Sequence, residues 1–186
     1  MNPIRIVITG GPATGKTAII DNLNSKGYKC YEEVIRKLTA EAQNSGDITE
    51  THSNPIALVN DSVLFNTTLI NLRVADFKAS EKLDNLVSFF DRGMPDVLAY
   101  MDYFNQEVGK DFIDICKTYR YDFVFLLPPW KAIYKDDAER FETFDQATDI
   151  YHKLMQTYQR FDYKIIEVPF GKIEDRTQFI IEKLNL

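Results

Sequence analysis

Residues 4–17 constrain the fold more than any other stretch. An apolar run, Ile4-Arg5-Ile6-Val7-Ile8-Thr9, leads directly into Gly10-Gly11-Pro12-Ala13-Thr14-Gly15-Lys16-Thr17, and Ala18, Ile19, Ile20 and Leu23 follow at helical spacing. The pattern is G-x-x-x-x-G-K-T between a strand and a helix. Such a loop turns its backbone N–H groups inward as an anion nest, and the helix behind it adds the positive end of its dipole. Gly10 and Gly15 permit backbone conformations and a close approach that a Cβ would obstruct. Gly11, Pro12, Ala13, Thr14, Gly15, Lys16 and Thr17 are therefore the expected phosphate-binding residues, with Lys16 reaching the β- and γ-phosphates and the Thr17 hydroxyl available to Mg2+.

The rest of the composition narrows the class. No apolar run approaches the ~20 residues that span a bilayer. The run Ile4 to Ile8 is broken by Arg5 and ends in the loop, which is not the pattern of a secretory signal. A net charge of −6 disfavours a nucleic-acid or anionic-membrane partner, because either needs a basic face. Cys30 and Cys116 lack metal-site spacing and read as ordinary thiols of a reducing compartment. His52 and His152 form no ligand cluster. With 186 residues and no repeat, linker or low-complexity stretch, one cytoplasmic domain over residues 1–186 is expected, burying roughly 70% of its unfolded-chain surface.

The first helix should run to about Lys26, with Gly27 as its stop. Tyr28 to Tyr31 reads as a short strand ending at Glu32 and Glu33, and a helical pattern of Val34, Ile35, Leu38 and Ala42 follows. Acids here favour a helix N-terminus through the dipole. Equally, the carboxyl ends of parallel strands face the ligand crevice, which would place Glu33 near the phosphate loop. After a polar loop over residues 44–54, a long helix from Pro55 to about Lys78 carries the stripe Ile56, Val59, Val63, Leu69, Ile70 and Val74.

Leu86 to Phe90 is a continuous apolar run of the buried-strand type and ends in Asp91-Arg92-Gly93. Asp and Gly are ordinary residues of a turn. Downstream of a phosphate loop, however, a carboxylate in this place holds the Mg2+ shell or takes a proton from the attacking group, and Arg92 offers a planar charged fork. Helices are expected over Pro95 to Phe104 and Val108 to Tyr119. A third buried strand, Phe123 to Leu127, stops at Pro128-Pro129-Trp130, where Trp130 is either a core anchor or a wall near the nucleotide. Residues 131–144 are dense in charge. They suit a solvated helix or loop, or a lid that brings Arg140 onto the transferring phosphoryl group. A helix over Thr148 to Phe161, a strand over Lys164 to Pro169 and an amphipathic helix over Ile173 to Leu184 complete the pattern.

The phosphate loop, Tyr-Glu-Glu-Val-Ile-Arg after the second strand, Phe-Phe-Asp-Arg-Gly, Leu-Pro-Pro-Trp and Asp-Asp-Ala-Glu-Arg occur in that order. Together they resemble the small P-loop ATPase family that includes the ribosylnicotinamide-kinase half of the bacterial NadR proteins. The resemblance implies a three-layer α/β fold of the P-loop NTPase type, similar to nucleoside and nucleotide kinases. Its five-stranded parallel sheet would place the strand of Asp91 beside that of the phosphate loop. It also implies ATP and Mg2+, with Thr17 and Asp91 toward the metal, and functional roles for Glu33, Asp91, Arg92 and the lid residue Arg140.

The expected activity is ATP- and Mg2+-dependent phosphoryl transfer to a small hydroxyl-bearing metabolite, such as the nucleoside nicotinamide riboside. Lys16 and Arg140 would neutralise charge, and Asp91 or Glu33 would deprotonate the acceptor. The sequence leaves open which carboxylate is the base. The alternative is a nucleotide-binding switch with slow hydrolysis that signals through the Arg140 region. A motor-type ATPase fits less well, because only about one helix follows the last strand.

Overall fold

A computed structural model describes residues 3–35, 62–81, 86–134 and 142–186. In chain order these form β1 (Ile4–Gly10), α1 (Lys16–Ser25), β2 (Lys29–Tyr31), α2 (Ser62–Ser80), β3 (Val87–Asp91) and α3 (Met94–Tyr103). They continue with α4 (Lys110–Thr118), β4 (Phe123–Leu127), α5 (Phe144–Arg160), β5 (Ile165–Glu167) and α6 (Ile173–Leu184). The strands make one five-stranded parallel sheet in the order β2-β3-β1-β4-β5. The phosphate-loop strand is therefore central, with the strand of Asp91 on one side and β4 on the other, as the resemblance implies.

The apolar strand runs are continuous because both faces of the sheet are covered. Along β1 the side chains alternate. Val7 joins Phe90, Val124 and Leu126 in a core shared with α2, α3 and α5. Ile6 and Ile8 join Phe89, Phe125 and Leu127 in a second core under α1 and α6. Three layers result, and the carboxyl ends of all five strands emerge along one edge, where a doubly wound sheet binds its ligands.

Two elements differ from expectation. On α2, Val63 is 66% exposed, and the buried face runs instead through Asn66, Leu69, Ile70, Arg73 and Phe77. Polar residues occupy that face because each finds a partner across it. Asn66 Nδ2 donates to Gln106 Oε1 at 2.7 Å, and Arg73 Nη1 donates to the Gly93 carbonyl at 2.5 Å. Helix α5 begins four residues earlier than the apolar spacing indicates. A reciprocal cap starts it, with Thr143 N–H donating to Gln146 Oε1 at 2.7 Å and Gln146 N–H to Thr143 Oγ1 at 3.3 Å. The expected polar loop at 44–54, the Pro55 helix start with Ile56 and Val59, Leu38, Ala42 and His52 lie outside the described residues.

Candidate active site

Strand β1 delivers the phosphate loop at Gly10, which pairs with Leu127 of β4. A Cβ at Gly10 would lie 2.7 Å from the Leu127 carbonyl oxygen, so only glycine lets the loop leave the sheet there. Gly15 is the N-cap of α1 in the left-handed region, φ +87°, and directs the helix N-terminus toward the loop. Thr14 Oγ1 and Lys16 Nζ both donate to the Gly11 carbonyl, at 2.9 and 2.8 Å. Burial, then the positive charge of Arg92, brings the Lys16 ammonium down from 10.5 to about 8. Thr17 lies in the first turn of α1 and is half-buried.

Asp91 is the last residue of β3, opposite Ile8 of β1, and is 5% exposed. Arg92 follows in the left-handed region, φ +75°, a conformation that costs a non-glycine residue about 1–3 kcal/mol. Its contacts hold it there. The backbone N–H donates to the Ile8 carbonyl at 3.0 Å. The guanidinium donates from Nε to Glu33 Oε1 at 2.6 Å, and from Nη1 to the Gly10 carbonyl at 3.2 Å and Asp96 Oδ1 at 3.3 Å. It also lies 5.3 Å from the centre of the Tyr100 ring. Burial alone would push the Glu33 carboxyl up, but Arg92 beside it outweighs this and holds it well below the usual carboxylate range.

The structure thus brings the loop residues, Lys16, Glu33, Asp91 and Arg92 together at one edge of the sheet. Arg140 lies outside the described residues. Trp130 is partly buried and stacks on Phe170, with ring centres 5.2 Å apart. Cys116 is buried, Cys30 is partly so, and both thiols are free and pushed up to about 12 by burial, which makes them poor nucleophiles. His152 is exposed. Among the described residues, no His, Cys, Asp and Glu cluster of metal-site composition occurs and no helix is long and apolar enough to cross a membrane.

Sequence reasoning missed Asp96. It is fully buried in the first turn of α3 and gathers donors from four places. Oδ1 accepts from Thr9 Oγ1 at 2.5 Å and from Arg92; Oδ2 accepts from Tyr158 Oη at 2.5 Å and from the Gly93 N–H at 3.0 Å. One carboxylate therefore ties β1, the turn carrying Arg92, and α5 to a common point. Beside it, Tyr31, Val34, Arg73, Asp91, Arg92 and Tyr121 help line a pocket with room for about one water.

Solved structures share this fold. The deoxyadenosine kinase of M. mycoides with bound dATP superposes with a TM-score of 0.63 at 17% identity, over 98% of this chain and 100% of that one. The NadR protein in complex with NR gives a TM-score of 0.69 at 16% identity, over 98% of this chain and 50% of NadR. The thymidylate kinase of Candida albicans gives 0.64 at 17% identity, over 99% and 93% of the two chains. No curated protein sequence matches the chain. At these identities the likeness establishes the nucleoside- and nucleotide-kinase form of the P-loop fold. The family model described as an AAA domain matches residues 5–176, from the first strand to the first turn of the last helix, and the chain belongs to that family.

Proposed function

We propose that the chain transfers the γ-phosphoryl group of ATP to a hydroxyl of a small metabolite, a nucleoside in the first instance. The observation that carries this reading is the Glu33–Arg92 pair at 2.6 Å, a carboxylate held ionised at the end of β2 and facing the phosphate-loop cluster. Strand β3, with Asp91, lies between β2 and β1. Asp91 is thus one strand from the loop, while β2 runs roughly 10 Å from β1 at ordinary strand spacing. That separation supports an acceptor held between the triphosphate and Glu33, with Asp91 on the nucleotide side.

In the proposed reaction the acceptor oxygen bonds to the γ-phosphorus, the bond from that phosphorus to the β,γ-bridging oxygen breaks, ADP leaves, and the hydroxyl proton passes to Glu33. An ionised carboxylate in this place orients the acceptor hydroxyl and takes its proton as the bond to phosphorus forms. Lys16 faces the transferring charge, and Arg140 is proposed as a second cation. Thr17 and Asp91 supply the few hard oxygen donors that suit Mg2+, an ion that keeps most of its shell as water and phosphate oxygen. Bound there, Mg2+ would neutralise phosphate charge.

ADP release from Mg·ATP, measured with and without nucleosides, nicotinamide riboside and nucleoside monophosphates, tests the proposal. Strong stimulation by one compound supports a kinase and names the acceptor class. A flat panel with tight nucleotide binding would overturn it in favour of the switch.

Lys16 adds a pH signature. Binding a phosphate needs the ammonium form, so above its pKa the free protein must first take up a proton. Affinity for a non-hydrolysable ATP analogue should be flat below pH 8 and fall beyond it, approaching about tenfold per pH unit. An unperturbed lysine would hold affinity constant until near 10.5, and titration calorimetry across this range distinguishes the two.

A further inference from the structure

Arg176 lies on α6, near the opposite end of the sequence from the phosphate loop, and is 1% exposed. Its Nη1 donates to the Thr14 carbonyl at 2.9 Å. Its Nε and Nη2 are buried and have no hydrogen-bond partner among the described residues. A Cβ built at Gly15 would lie 2.9 Å from Nη1, so the guanidinium fills the space that Gly15 leaves behind the loop. The buried neighbours on the same helix are Thr177, Ile180 and Ile181, and packing alone would favour an apolar side chain among them. What the guanidinium does gain is one carbonyl of the phosphate loop.

That carbonyl belongs to the peptide unit whose N–H is that of Gly15. A trans peptide is planar, so fixing the Thr14 carbonyl outward fixes the Gly15 N–H in the opposite direction, toward the interior of the nest. A cation on the carbonyl also polarises the unit and strengthens its N–H as a donor. We propose that Arg176 is a positioning residue for the phosphate loop: it holds the Thr14–Gly15 peptide with its N–H turned to the nucleotide phosphates, and its charge lies behind the loop. The inference rests on reading this loop as the triphosphate site.

Arg176→Met keeps an unbranched apolar stem, shorter than that of arginine, and removes the charge and donors. The expected result is unchanged or raised thermal stability of the nucleotide-free protein, with affinity for ATP and for inorganic tripolyphosphate lowered about tenfold. The Gly15 amide resonance should shift downfield on tripolyphosphate binding in the parent protein and lose most of that shift in the variant. Arg176→Lys, which retains a cation able to reach the carbonyl, should recover most of the affinity. Equal tripolyphosphate affinity in Arg176→Met and the parent would overturn the inference. So would loss of affinity in both variants that follows a loss of thermal stability, since that is the behaviour of a purely structural residue. Failure of the parent itself to bind ATP or tripolyphosphate would overturn the proposed function along with it.

Discussion

Glu33→Gln is expected to lower phosphoryl-transfer turnover by ~10²–10⁴-fold, the usual contribution of a positioned proton acceptor. The amide is nearly isosteric, and its oxygen can still accept from Arg92 Nε, so the 2.6 Å contact that organises the turn should survive in weaker form. Nucleotide affinity should change little, because Glu33 lies across β3 from the loop strand. Asp91→Asn should also be slow, but for another reason. On the proposed roles its defect would lie in the Mg2+ shell and should be partly recovered by raising Mg2+ or substituting Mn2+, whereas that of Glu33→Gln should not. Steady-state kinetics at two metal concentrations separate the roles. A loss under about tenfold in Glu33→Gln would remove Glu33 from the proton transfer.

The largest stability effect should follow Asp96→Ala. That change leaves the hydroxyls of Thr9 and Tyr158, the Gly93 N–H and one arm of Arg92 facing a cavity instead of an acceptor. Removing one partner from a buried charged network costs about 3–5 kcal/mol. Asp96→Asn should be milder, about 1–3 kcal/mol, because each oxygen now takes two donors and the Asn nitrogen can only repel the Gly93 N–H or the Arg92 arm. Urea unfolding of the nucleotide-free protein measures both. A cost below about 1 kcal/mol for Asp96→Ala would mean that water replaces the carboxylate and that the network is not what holds Arg92 in its left-handed conformation.

The two kinds of site residue differ in how legible they are in the sequence. The loop from Gly11 to Thr17 is contiguous, and its signal is local: glycines for the turn, then a lysine and a hydroxyl in the first turn of the helix. Glu33 and Asp91 each stand directly after a strand pattern, so the parallel topology alone carries them to the same edge. Asp96 has no such signal. In sequence it is an acid in the first turn of a helix after a proline, which helix capping explains completely. Only the fold reveals that Thr9, 87 positions before it, and Tyr158, 62 positions after it, meet at its oxygens. Arg176 did leave a trace. Ile173, Arg176, Thr177, Ile180 and Leu184 fall at helical spacing, so the arginine sits on the apolar stripe of its own helix. The α2 stripe held at Leu69 and Ile70 and failed at Val63, since apolar periodicity cannot register that Asn66 and Arg73 find buried partners and share that face.

The most direct test of phosphoryl transfer is to follow the label of γ-phosphorus-labelled ATP with the most stimulating acceptor present and compare label on acceptor with label in inorganic phosphate. The expected result is stoichiometric recovery on the acceptor hydroxyl, matching the ADP formed, with inorganic phosphate at the level seen without acceptor. Label appearing only as inorganic phosphate, at a rate no acceptor changes, would contradict the kinase reading and leave nucleotide hydrolysis as the chemistry of this loop.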